Sequence, residues 1–190
     1  MKGSFSSLTF RHGVLIGMML IGVLTRFIPH PPNFTAVGAV SMIGAALWFY
    51  RRWALWIPLL ILGISDLIWG AVSPEKGWYA GQAFVYVGFL AYPLVGFAWL
   101  RGHQWSMGRV ALSALTASFL FFVVSNLGVW WLGGFYPHTS VGLFSAYVAA
   151  LPFWVAQWAG DTFYGLLLAG AWMWAGRRFP GKLLDPVCVE

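Results

Sequence analysis

The sequence predicts an all-α membrane protein that crosses a bilayer six times. The composition is 60% hydrophobic and only 8% charged, whereas a soluble domain is about 45–50% apolar and about 25% charged. Long apolar runs recur without the alternation of barrel strands, so the spanning segments should be helices, which satisfy their own backbone hydrogen bonds. With 190 residues, the chain is short enough to form one transmembrane domain over residues 1–190.

Six apolar segments approach the length of a membrane-spanning helix, about 20 residues for a hydrocarbon core about 30 Å thick. The first has no convincing cleavage site before Arg26, so we interpret it as a retained helix and not as a signal peptide. The second is short for a full crossing, and residues 141–149 could form a short extra helix before the last span. The predicted spans cover residues 13–28, 35–50, 53–70, 81–100, 110–131 and 150–175.

The basic residues are unequally divided between the two ends of these spans. Of the 11 Lys and Arg residues, nine fall on one side and two, Arg26 and Lys76, on the other. The positive-inside rule then places both termini in the cytoplasm. The net charge of +6 is therefore interpreted as a topology signal, and no nucleic-acid partner is expected.

Three predicted outer segments, residues 25–35, 71–82 and 133–140, are rich in Pro, Gly and aromatic residues. Loops of this kind can present functional groups on a rigid scaffold; the alternative is turns with interfacial aromatic side chains. Prolines on both sides of His30 restrict the backbone. His30 and Asn33 could therefore bind a ligand, or His30 a metal; the alternative is a packed turn between helices.

Aromatic and amide side chains cluster near the start of the fourth span. They suit a flat, partly polar ligand at the outer mouth of the bundle. They suit an interfacial aromatic belt equally well. The cluster comprises Trp78, Tyr79, Gln82 and Tyr86.

Asp66 and Asp161 are the only acidic residues inside the predicted spans. A charged residue in the bilayer costs at least about 2.5–3.5 kcal/mol, so such residues usually face a cavity or a partner. Each aspartate could bind a ligand or couple to protons. Each could instead make a structural hydrogen bond to another helix, with Asn126 or Arg26 as candidate partners.

The sequence contains none of the common motifs of hydrolases, metalloproteases or nucleotide-binding proteins: HExxH, CxxC, GxSxG and Walker sequences are absent. A single cysteine, Cys188, excludes an intrachain disulfide and a cysteine metal cluster. We expect no intrinsic cofactor and a transporter in preference to an enzyme. The alternatives are a membrane-embedded enzyme or metal-binding protein that uses Asp66, Asp161 and His30, or a structural or assembly protein.

Three stretches carry a resemblance to a known family. They read RFIPHPPNFTAVGAVSMIGAA, WALWIPLLILGISDLIWG and SNLGVWWLGGFYPHTSVGLFSAYVAALPFWVAQWAGDTFYG. Together they resemble the bacterial family of unknown function numbered 6580, described as putative transport proteins. That family is similar to the substrate-binding S-components of energy-coupling-factor vitamin transporters. Among these, the chain looks most like the solitary cobalamin type, the BtuM type of Gram-negative bacteria.

This resemblance implies a multi-pass S-component bundle in the bacterial cytoplasmic (inner) membrane that binds a vitamin from the outer face for uptake. The implied ligand is cobalamin or another corrinoid. The implied partners are the lipid bilayer, the vitamin, and an energy-coupling transmembrane subunit with its ATPases. The candidate ligand-binding residues are His30, Asn33, Asp66, Trp78, Tyr79, Ala80, Gln82, Tyr86, Asn126 and Asp161.

The chain departs from the cobalamin type at the position of the cobalt ligand. The resemblance implies a cobalt-ligating cysteine in the loop after the third helix. Here the loop from Ala71 to Gln82 contains no cysteine and has small residues such as Ala80. Cysteine-dependent removal of the upper cobalt ligand is thereby put in doubt, and His30 is the alternative cobalt ligand.

Overall fold

The structure is a computed structural model that describes residues 2–47, 51–73 and 79–178. Trp78, Lys76, Cys188 and the end of the second predicted span lie outside these residues. Within them the chain is helical and contains no β-strand, which confirms the all-α prediction for this part. The helices are α1 (Lys2–Thr25), α2 (Val37–Leu47), α3 (Arg51–Ala54), α4 (Trp56–Val72), α5 (Gln82–Phe89), α6 (Ala91–Val95), α7 (Met107–Leu132) and α8 (Ser140–Arg178).

The helices are compatible with a membrane bundle. A π-helical turn, Gly96–Leu100, continues α6, so residues 82–100 form one apolar helical segment. This segment, α7 and α8 are long and apolar enough to cross a membrane. Three shorter apolar helices accompany them: His12–Thr25 of α1, α2 and α4.

Helix α2 lies at the centre of the bundle. All 11 of its residues are buried, and it contacts α1, α4, α6, α7 and α8. At 1.5 Å per residue it is only about 16 Å long, roughly half of a hydrocarbon core. A helix that is apolar on every side is expected in a protein interior, and its small residues let neighbouring helices approach closely. The second predicted span is short because protein, and not lipid, surrounds it.

Helix α8 corrects the prediction for the last span. Residues 141–149 do not form a separate helix but belong to α8, which has 39 residues. Thr139 caps its start, since Thr139 Oγ1 accepts a hydrogen bond from the backbone N–H of Gly142 at 3.1 Å. Pro152 lies inside the helix without ending it. The prediction was wrong because the capping residue precedes the whole apolar run.

The Pro-rich loop connects α1 to α2 in a compact path. Helix α1 ends at Thr25, earlier than the predicted residue 28, and the backbone N–H of Arg26 donates to the carbonyl of Val23 at 3.1 Å in a turn. The backbone N–H of Ala36 donates to Thr25 Oγ1 at 3.1 Å, which ties the start of α2 to the end of α1. The loop between them thus folds back over this end of the bundle.

Candidate functional site

A cavity of about 390 Å³ lies at the end of the bundle that carries the Pro-rich loop. Its volume falls within the range of about 300–1,000 Å³ that is usual for small-molecule sites. The loop and helices α4, α5, α7 and α8 contribute to its walls. The polar lining includes Arg26, His30, Asn33, Asn126 and Gln157. The aromatic lining includes Trp69, Tyr79, Phe89, Phe121, Phe122 and Trp154.

The structure brings several of the predicted residues to this cavity. His30, Asn33, Tyr79 and Asn126 line it directly. Ala80 is exposed and is not among the lining residues, and Trp78 lies outside the described part of the chain. The other predicted residues belong to two polar clusters, one around Asp66 and one around Asp161.

The Asp66 cluster joins the turn after α1 to α4 and α5. Arg26 Nη1 lies 2.8 Å from Asp66 Oδ1. Gln82 Nε2 and the Tyr86 hydroxyl donate to Asp66 Oδ2 at 2.6 and 2.8 Å. Only 4% of Asp66 is exposed, so these partners replace water around the carboxylate. For Asp66, the structure shows the predicted contact with Arg26, and ligand binding by Asp66 stays a prediction.

Arg26 connects the Asp66 cluster to the cavity. Besides Asp66, its Nη1 donates to Ser65 Oγ at 2.5 Å and, more weakly, to the carbonyl of Leu62 at 3.5 Å. A guanidinium has five N–H donors, and within the described residues every side-chain hydrogen bond and ion pair of Arg26 involves Nη1. The Nε and Nη2 donors thus have no partner in this part of the chain. Arg26 lines the cavity, and its side chain is 23% exposed.

The Asp161 cluster joins α6, α8 and α2. The Tyr92 hydroxyl donates to Asp161 Oδ2 at 2.5 Å, and Gln157 Nε2 donates to the same oxygen at 3.2 Å. Gln157 Nε2 also lies 3.1 Å from the Tyr92 hydroxyl. Asp161 and Tyr92 are fully buried, whereas Gln157 is a cavity residue. The cluster therefore links the cavity wall to the bundle interior.

The second oxygen of Asp161 faces the start of α2. Among the described residues, Asp161 Oδ1 has no hydrogen-bond partner of good geometry, although the backbone N–H of Ala39 lies close to the carboxyl group. Free N–H groups of a first helical turn favour a negative charge. Gly38 permits this approach, since a methyl group there would overlap the Asp161 carboxyl and the Tyr92 ring.

Asn126 does not pair with either aspartate, which corrects one of the predicted alternatives. Its Nδ2 donates to the carbonyl of Phe122, in the preceding turn of its own helix, at 2.8 Å. A polar side chain in an apolar helix can satisfy its donor in this way without a partner helix. Asn126 therefore contributes to the cavity wall, and within the described part of the chain its side chain makes no hydrogen bond to another helix.

His30 and Tyr79 lie where the cavity meets the loops. His30 is partly exposed, and its Nδ1 lies 2.7 Å from the carbonyl of Pro31. Among the described residues there is no group of three or more His, Cys, Asp or Glu side chains that could hold a metal ion. This absence does not test the prediction that His30 ligates the cobalt of a corrinoid, because such a bond needs only one side chain. Cobalt ligation by His30 therefore stays a prediction. Burial, reinforced by the Asp66 carboxylate and opposed by Arg26, raises the pKa of Tyr79 above its usual 10.0.

Several cavity residues had little signal in the sequence. Phe121, Phe122 and Trp154 are apolar residues within apolar helices, and nothing local distinguishes them from lipid-facing ones. Gln157 did have a signal, because it precedes Asp161 by one helical turn and so lies on the same helix face.

The model of a family of unknown function, DUF6580, matches residues 6–183, which include the cavity and both polar clusters. No curated protein and no solved structure shows a significant match. Since the family match covers most of the sequence, the chain belongs to the family of unknown function DUF6580.

Proposed function

We propose that this chain is a membrane-embedded substrate-binding component for the uptake of a small molecule, and that the cavity is its binding site. The observation that carries the proposal is the cavity itself: about 390 Å³ in volume, with aromatic walls and a few polar groups. Such a composition is typical of small-molecule sites.

The geometry favours binding over acid–base chemistry. Asp66 and Asp161 are each held by a Gln amide and a Tyr hydroxyl. Neither carboxylate is among the residues that line the cavity. Both are therefore better suited to fix the helices around the cavity than to act on a molecule within it.

The proposed topology has six crossings, with both termini in the cytoplasm and the cavity facing outward. The unequal distribution of basic residues supports this orientation. The single native cysteine, Cys188, provides a test in intact cells. A membrane-impermeant maleimide should label Phe135→Cys in a Cys188→Ser background, because Phe135 is 81% exposed in the loop before α8. In the wild-type chain, Cys188 should react with the maleimide only after the cells are permeabilised. Labelling of Cys188 in intact cells, with Phe135→Cys left unlabelled, would contradict the orientation.

The proposed ligand class is a vitamin, and the resemblance described above makes a corrinoid the first candidate. A volume of about 390 Å³ lies near the lower end of the range for drug-sized ligands. A corrinoid is larger than such ligands, so it would enter only in part unless the loops at the mouth separate. The chain has no Walker sequence, so an energy-coupling subunit with its ATPases would have to supply the energy for uptake.

Equilibrium dialysis of the purified full chain in detergent tests this proposal. The ligands are cobalamin, cobinamide and a mixture of smaller vitamins, with mass spectrometry to identify what is retained. Ala150→Phe places a ring in the cavity, whose wall includes Ala150. Ala149→Phe is the matched control, because Ala149 is exposed and is not a lining residue.

The proposal predicts a ligand that wild type and Ala149→Phe retain at micromolar concentration and that Ala150→Phe binds at least about ten-fold more weakly, a difference of about 1.4 kcal/mol. It is wrong if no ligand is retained or if Ala150→Phe binds as well as wild type.

A further inference from the structure

We infer that the cavity selects flat ligands with a carboxylate or carbonyl edge and discriminates against cations, and that Arg26 is the residue that makes this selection. The inference rests on the proposed function, because it assumes that a small molecule occupies the cavity. It adds the charge and shape of that molecule, which neither the family match nor the proposed function specifies.

The charge of the cavity wall carries the first step. Among the described residues that line the cavity, Arg26 is the one with a permanent charge, and no carboxylate is present. Asp66 contacts Nη1 of Arg26 and leaves Nε and Nη2 without a partner in the described residues. The cavity therefore meets the positive side of an ion pair. A planar guanidinium edge matches carboxylate and carbonyl oxygens, whereas a desolvated cation would be repelled.

The amide groups of the wall carry the second step. Asn126 Nδ2 donates to Phe122, and Gln157 Nε2 is occupied by Asp161 and Tyr92. The two amide oxygens accept no hydrogen bond from the described residues, so they can accept from a ligand N–H. A neutral ligand with a carbonyl and an N–H, such as an aromatic amide, would therefore satisfy both kinds of group.

The aromatic walls carry the third step. The Phe89 and Phe121 rings lie 4.5 Å apart, and the Phe122 and Trp154 rings lie 5.5 Å apart, measured between centroids. Rings that support one another in this way form fixed apolar faces, against which a flat ring system packs well. Shape and charge together indicate a flat ligand with an acceptor edge.

Three probes with one ring system separate the effect of charge from that of shape: 2-naphthoate, 2-naphthamide and 2-naphthylmethylammonium. Binding to the full chain in a neutral detergent at pH 7 is measured by equilibrium dialysis, with Ala150→Phe as the baseline for partition into micelles. Wild type should bind the carboxylate and the amide about ten-fold more tightly than the ammonium.

Two variants place this selection at Arg26. In Arg26→Gln, the preference for the carboxylate and the amide over the ammonium should fall from about ten-fold to about three-fold or less. Asp66→Asn removes the counter-charge and keeps Arg26, so it should strengthen naphthoate relative to naphthamide, whereas a purely structural role of the pair predicts no such change. Size-exclusion profiles identify any variant that fails to fold. If Arg26→Gln does not fold, Arg26→Lys, which keeps the charge, takes its place. Arg26→Lys should weaken the binding of naphthoate without reversing the preference for naphthoate over the ammonium probe.

The inference is overturned if the ammonium probe binds as tightly as the carboxylate, if the preference survives in Arg26→Gln, or if no probe shows binding that depends on Ala150. Failure of this inference does not by itself overturn the proposed function. That function fails only if the vitamins tested above also show no binding that Ala150→Phe removes.

Discussion

Removal of the Asp66 carboxylate should destabilise the protein by about 3–4 kcal/mol. Asp66→Ala deletes the acceptor of two hydrogen bonds, from Gln82 and Tyr86 at 2.6 and 2.8 Å, and the counter-charge of Arg26 at 2.8 Å. Loss of one partner of a buried ion pair costs about 3–5 kcal/mol. The lower part of this range applies because the Arg26 side chain is 23% exposed and can recover some hydration.

Equilibrium unfolding in mixed micelles measures this free energy. Leu67→Ala is the matched control, since Leu67 is the next residue and is 63% exposed; it should change the free energy of unfolding by less than about 1 kcal/mol. Asp66→Leu combined with Arg26→Met should cost less than the sum of the single changes, because no unpaired charge remains. A value for Asp66→Ala within about 0.5 kcal/mol of wild type, or strict additivity in the double variant, would refute the reasoning.

Three further changes test other contacts by the same unfolding measurement. Gly38→Ala should cost about 1–3 kcal/mol, because the added methyl group overlaps Asp161 and Tyr92. Gly63→Ala is the control and should be neutral or slightly stabilising, because a methyl group there meets nothing within 4 Å. Equal effects of the two changes would exclude close packing at Gly38 as the cause. Tyr92→Phe should cost about 1–3 kcal/mol, since it removes the donor to the fully buried Asp161, and an unchanged stability would show that this bond contributes nothing. Thr139→Ala should cost about 1 kcal/mol and should speed amide hydrogen exchange in the first turn of α8, because it removes the capping oxygen. Thr139→Ser keeps that oxygen and should exchange as wild type does. Equal exchange rates in both variants would contradict a capping role.

The all-helical architecture could be predicted because apolar composition and run length depend only on local sequence. The 26 residues of α7 stand out in the sequence in this way. The central position of α2 could not be predicted, because a short apolar helix has the same composition whether lipid or protein surrounds it. Its burial follows from contacts with helices that are distant in the chain.

The candidate site could be predicted only in part, because local sequence reveals unusual polar residues but not which side chains meet in space. His30, Asn33 and Asn126 were recognisable as polar residues in unusual surroundings, and they line the cavity. Arg26 was interpreted chiefly as a topology signal, although an isolated cation near a span also indicates a partner such as Asp66. The aromatic walls were hidden among many similar side chains, because only the three-dimensional packing decides which rings face a cavity and which face outward.

The most direct test of the central claim is to identify small molecules that co-purify with the protein. Protein purified in mild detergent is denatured, and the released compounds are compared by mass spectrometry between wild type, Ala149→Phe and Ala150→Phe. The binding proposal predicts a compound in near-stoichiometric amount in wild type and Ala149→Phe that is depleted at least about ten-fold in Ala150→Phe. The same compound in equal amount in all three proteins would show that the cavity does not hold it and would contradict the proposal.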